Sequence, residues 1–135
     1  MQCTSVTCTA GPAGSKILSM NFHGKGTNGY GIVLGTVTID IAQGGRLDFC
    51  GVSFREDGEI ENASASGLYQ AAGKRRWATR MLMHSSTGTV FLVEGVIDIE
   101  AKSWIGAAFE WIPDDVAPPA ARPEHHRGWL AYRAA

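Results

Sequence analysis

Three side chains of this sequence, Glu61, Arg80 and His84, would make a reaction site if the fold brought them together. A carboxylate beside an imidazole favours the protonated ring and forms an acid/base pair. A neighbouring guanidinium can hold a carboxylate, phosphate or enolate oxygen. His84 and Glu61 would then be the catalytic pair of a cofactor-independent isomerase, cyclase or lyase. In a binding protein, Arg80, His84, Glu61 and Tyr69 would orient a ligand instead. The three are far apart in sequence, so their meeting depends on the elements that carry them.

Other constellations are weaker. Gly24-Lys25-Gly26-Thr27-Asn28-Gly29 matches G-x-G-x-x-G, but the following Tyr-Gly-Ile-Val-Leu-Gly-Thr-Val-Thr-Ile is a strand pattern. A dinucleotide loop needs a helix N-terminus there, so these are hairpin glycines. Glu94 sits in the apolar run Val90–Ile97, where a carboxylate is a buried acid with raised pKa, pairs with Arg80 or an interface lysine, or points to solvent. Histidines 23, 84, 125 and 126 show no metal-ligand spacing, and neighbours such as His125 and His126 point to opposite faces of an extended chain. No metal or cofactor is expected. Lys74-Arg75-Arg76-Trp77 reads as a solubilising hairpin tip rather than a phosphate contact.

Composition narrows the class. The chain has 135 residues, 44 % of them hydrophobic, and a net charge of −1. That length suits one domain with its own core. The charge gives no field to draw in nucleic acid or an anionic membrane. The three cysteines, Cys3, Cys8 and Cys50, cannot all pair and read as free thiols. With no signal-peptide pattern and no membrane-length apolar run, a cytoplasmic protein is expected.

Six turn signals position the candidate residues: Asn28-Gly29, Gly44-Gly45, Asp57-Gly58, Ala72-Gly73, Thr87-Gly88 and Glu100-Ala101-Lys102. They recur about every 13 to 16 residues, and the segments between them alternate or run apolar. Residues 16–112 therefore read as an all-β domain, an antiparallel up-and-down meander of seven to eight long strands. Closure into a barrel removes the two edges an open sheet would expose. The strand number and length are those of lipocalin-like barrels, as architecture only. The G-x-W motif of that family is missing, so no resemblance follows. Residues 1–15 read as a flexible segment and 113–135 as a Pro-rich linker with a docked C-terminal segment, in which Gly128 to Tyr132 could be an eighth strand or a helix.

Turn chemistry fixes a trial register. A two-residue Asn28-Gly29 turn sets Phe22 opposite Gly35, Met20 opposite Val37 and Leu18 opposite Ile39. At Gly44-Gly45, two loop residues put Val52 and Cys50 inward, whereas three would turn Leu47 and Phe49 inward. Two-residue loops through Asp57-Gly58, Ala72-Gly73 and Thr87-Gly88 give one face with Glu61, Arg80 and His84, and a three-residue last loop aligns Ile97 with Ile105, Gly95 with Ala107, Val93 with Phe109 and Phe91 with Trp111. That face also has a waist of Ala63, Ala65, Gly67, Ala78, Gly95 and Ala107. Small residues at a barrel waist leave room for a small apolar or amphipathic ligand. The opposite face, with Trp77, Met81 and Leu92, is apolar enough to imply a homodimer or higher homo-oligomer. The functional expectation is a small-molecule-binding barrel, with the enzyme and a non-catalytic oligomeric interaction protein as alternatives.

Overall fold

The computed structural model describes residues 1–41 and 45–112. Eight strands follow in chain order: β1 (Gln2–Ala10), β2 (Lys16–Lys25), β3 (Ile32–Asp40), β4 (Arg46–Phe54), β5 (Ile60–Ala71), β6 (Arg76–Ser85), β7 (Val90–Asp98) and β8 (Ser103–Glu110). Each pairs antiparallel with the next, and β8 meets β1, so the meander is a closed barrel. Residues 16–112 supply seven of the strands, β2 to β8. The eighth comes from the N-terminal side, within the stretch that the sequence sets apart as flexible. Gln2–Ala10 is made of small and polar residues with no apolar stripe, so nothing in its pattern announces a strand. Its amides are instead satisfied by the ladder to β2, from Gln2↔His23 to Ala10↔Lys16. The alternative closing segment, Gly128 to Tyr132, lies outside the described residues.

Closure is short. Gln2 pairs with Ser103. The Cys3 N–H donates to the Lys102 carbonyl at 2.7 Å, and the Trp104 N–H to the Met1 carbonyl at 2.8 Å. The Met1 amino group donates to the Trp104 carbonyl at 2.7 Å. Beyond this patch β1 and β8 diverge, and both are largely exposed.

The first hairpin has the expected register: Phe22↔Gly35, Met20↔Val37 and Leu18↔Ile39. Asn28 at φ 55° and Gly29 at φ 83° form the mirror-image turn that asparagine and glycine tolerate. The later hairpins depart from two-residue loops. Val37 faces Phe49 and Ile39 faces Leu47, which is the inward Leu47/Phe49 option. In the β4–β5 turn Arg55 N–H meets Glu59 O at 2.9 Å and Gly58 N–H meets Arg55 O at 3.1 Å. Gly58 stands at φ 90°. This is a three-residue loop closed by a left-handed glycine, and Thr87-Gly88 repeats it with Ser85 N–H to Thr89 O at 2.9 Å. Ala72-Gly73 also has three loop residues, with Ala72 N–H to Arg76 O at 2.9 Å and Arg75 in the left-handed position at φ 58°. Each extra loop residue reverses which face the next strand turns inward, and the β7–β8 loop, residues 99–102, has four residues where three are expected. The strands β4, β6 and β8 therefore have the faces opposite to the trial register. β5 and β7 keep theirs, because the reversals cancel.

The inner face is the core. Met20, Phe22, Val37, Ile39, Leu47 and Met81 are nearly inaccessible to solvent. Burying a side chain of this kind stabilises by about 1.5–3 kcal/mol. At the waist, Trp104 packs against Phe22 and Phe49, with ring centroids 5.7 and 5.6 Å away. Gly35 and Gly51 make the space for Phe49: a β-carbon on either would come within 2.2 and 2.5 Å of its ring. The small waist residues thus admit two large rings. Ala78 and Ala107 of the expected waist lie on the outer wall, paired with Val96 and Glu94.

Candidate functional site

The observed register separates the expected triad. Glu61 lies inside, only 4 % exposed. Arg80 and His84 sit on the outer face of β6, opposite Glu94 and Val90 of β7. Tyr69 keeps to the inner side, half-buried, its ring 5.6 Å from that of Trp77. No acid/base pair of Glu61 with His84 exists in this arrangement.

Glu61 has other partners. In an up-and-down barrel alternate turns share an end, so the Asp57-Gly58 and Thr87-Gly88 hairpins meet. Arg55 Nη1 donates to Glu61 Oε2 at 3.1 Å. The Ser85 hydroxyl donates to Oε1, joined by the Thr87 hydroxyl at 3.4 Å. Arg55 also holds Asp57, Nε to Oδ2 at 3.2 Å, and its guanidinium lies 5.2 Å from the centre of the Tyr30 ring. Tyr30 in turn meets Phe91 edge-on at 6.1 Å. Burial, and next the negative charge of Glu61, push the Tyr30 hydroxyl above the ordinary tyrosine range. Hydrogen bonds to Asp57 and Glu61 raise the already basic Arg55 guanidinium. Both oxygens of Glu61 are engaged by donors from two hairpins, so the cluster fastens one mouth of the barrel. The sequence reading misses Tyr30, Arg55, Ser85 and Thr87 here. The signal that finds them is their position beside turns at the same end.

The outer wall of β6, β7 and β8 is the more unusual surface. Leu82 pairs with Leu92, and Leu92 with Phe109. Ala78, Val96 and Ile105 form a parallel row. Exposure reaches 42 % at Leu82, 55 % at Phe109 and 65 % at Ile105. Between the two apolar rows runs a third, Leu68–Arg80–Glu94–Ala107. Its centre is the Arg80 Nε to Glu94 Oε1 ion pair. Trp77 and Met81, expected on this wall, are inside: Met81 is buried in the core and Trp77 packs against it. Leu92 stays on the wall. The wall thus carries two apolar rows with a charged pair between them.

A second surface feature is an open groove of about 540 Å³ on the outside of β1 to β4. Asn21, His23 and Thr36 line it together with Leu34, Cys50 and Val52. Among the described residues no helix is long and apolar enough to cross a membrane. Fold and surfaces together define the class as a closed eight-stranded antiparallel meander barrel. Compared with family models, curated proteins and solved structures, the chain matches none.

Proposed function

We propose that the protein is a non-catalytic interaction module whose β6–β8 wall docks on a protein partner. The observation that supports this is the row Leu82–Leu92–Phe109, exposed at Leu82 and Phe109 and half-buried at Leu92, laid across three paired strands. Burying such a row would stabilise a complex by the same transfer term that builds a core, about 25 cal/mol per Å² of apolar surface. The rigid sheet also limits the conformational cost of docking. The test places a photoreactive phenylalanine analogue at Leu92, with Thr7 on exposed β1 as the control position. Adducts from position 92 and none from position 7 are expected in irradiated producing cells. Equal adducts from both, or none from 92, would overturn the reading.

The groove on β1 to β4 favours a second reading, a small amphipathic molecule bound outside the barrel. Its volume falls in the usual range of ligand sites, about 300–1,000 Å³, and the row Asn21–Thr36–Cys50 lies beside the row His23–Leu34–Val52 on its floor. Thr36→Trp should fill the groove and abolish binding of an environment-sensitive apolar dye. Dye binding unchanged by this substitution would remove the reading.

A further inference from the structure

We propose that the partner of the β6–β8 wall is a second copy of this chain, packed wall to wall about a two-fold axis. The axis runs parallel to the strands, between β6 and β7. The proposal rests on the interaction reading above and adds the identity and geometry of the partner. It is carried by the order of residues in the central row, Leu68–Arg80–Glu94–Ala107. Read across four strands, this is apolar, cation, anion, apolar. A two-fold interface is self-complementary: if one residue meets a second residue of the other copy, that second residue meets the first in return. Of the in-plane axes through the ion pair, only one parallel to the strands exchanges β6 with β7. It sets Arg80 against the Glu94 of the second copy, Glu94 against the second Arg80, and Leu68 against the second Ala107. An axis across the strands would instead stack Arg80 on Arg80, which like charge forbids. The same strand-parallel axis lays Leu82 against Leu92 of the other copy, so the centre of that row is apolar on both sides, while Phe109 meets the Ser66 position of β5 at its end.

The charges explain why a wall this apolar is not featureless. Leu68, 67 % exposed, gains cover only when something lies over β5. The Arg80–Glu94 pair remains in contact with solvent in the single chain, with side chains 62 % and 27 % exposed. Stacked on its mate, it becomes a four-charge ring of alternating sign. Such a ring fixes orientation and rejects shifted registers.

The experiment uses the full chain and two charge reversals. Wild type should sediment with twice the chain mass at about 100 μM. Arg80→Glu sets two carboxylates side by side at the centre of the row, and Glu94→Arg sets two guanidinium groups there. Each alone should weaken self-association about 100-fold and run as a monomer. Mixed in equal amounts, the two should recover the dimer as a heterodimer. Recovery on mixing cannot come from a pair acting only within one chain. Circular dichroism checks that each variant keeps its β-structure. Should either reversal fail to fold, Leu92→Glu, which leaves the ion pair in place, should give the monomer. A wild type that stays monomeric overturns the proposal, as does a mixture that stays monomeric. The cross-link at position 92 separates the two levels. An adduct with a different protein keeps the interaction reading and rejects the second copy, whereas no adduct rejects both.

Discussion

The indole of Trp104 on β8 stands over Gly95 on β7, and a β-carbon added at Gly95 would lie 2.5 Å from Nε1 and 2.8 Å from the Ile105 carbonyl oxygen. Nε1 is buried and has no hydrogen-bond partner among the described residues. The glycine is therefore what allows the Trp104 ring to approach the β7 backbone this closely. Gly95→Ala should destabilise the protein by about 2 kcal/mol, the usual cost of overpacking a core against backbone. Trp104→Phe in the Gly95→Ala background should cost less than the sum of the single changes, because the smaller ring removes the clash and the orphaned donor together. Urea unfolding of the four proteins of this cycle measures the coupling. Strict additivity would show that the ring and the glycine do not constrain one another.

Glu61 joins two hairpins through Arg55, Ser85 and Thr87. Glu61→Ala should cost about 3 kcal/mol, since it leaves those donors facing a buried gap. Glu61→Gln should cost less, because its carbonyl oxygen still accepts one of them. His84→Ala, on the outer wall opposite Val90, should change stability by no more than about 0.5 kcal/mol. Chemical unfolding at neutral pH tests all three. A Glu61→Ala variant as stable as wild type would show that the mouth is held by something else.

This contrast also shows what the sequence could reveal. Asn28-Gly29 admits one short turn of the right twist, so the faces of β2 and β3 were legible from residue types alone. Asp57-Gly58, Ala72-Gly73 and Thr87-Gly88 are ambiguous. The same glycine serves a two-residue turn or, as at Gly58 with φ 90°, the left-handed end of a three-residue loop. One extra residue in the Ala72-Gly73 loop, where the Ala72 N–H reaches the Arg76 carbonyl at 2.9 Å, turned Arg80 and His84 outward while Glu61 stayed inside. Glu61 was therefore recognisable as a polar group needing partners, but not which partners. Strand β1 was hidden for a different reason: its place depends on backbone ladders, and small polar residues carry no burial pattern.

Tyr30 provides an alkaline probe of the same mouth. Burial first, and the charge of Glu61 second, raise its hydroxyl above the ordinary tyrosine value. Folding thus favours the protonated phenol. Its contribution to stability is fully present below about pH 10, the unfolded value, and is lost as pH rises through the higher folded value. Ultraviolet titration of tyrosinate should show one group ionising late, and Tyr30→Phe should abolish that phase. The variant should also lose less stability than wild type above about pH 10. A titration unchanged by Tyr30→Phe would place the late-ionising group elsewhere.

Asp98 provides the acid counterpart at the opposite end of the barrel. Its Oδ1 accepts the Ala101 N–H at 2.8 Å, and its Oδ2 accepts Arg76 Nε at 2.7 Å. The Ala101 amide first, and Arg76 second, hold the carboxyl below the usual aspartate range. Folding here favours the ionised form, so the sign is the reverse of that at Tyr30. The stabilisation is fully present above the unfolded value, about pH 4, and disappears as pH falls through the lowered folded value. Asp98→Asn retains an acceptor for Ala101 but has no charge to lose. It should be less stable than wild type at neutral pH, and the difference should shrink steadily below about pH 4 until the two proteins unfold at the same urea concentration. Other carboxylates titrate in both proteins alike, so the difference between the curves isolates Asp98. Curves that stay parallel down to about pH 2 would mean that the Asp98 contacts stabilise the charged and neutral carboxyl equally, against the geometry of its two donors.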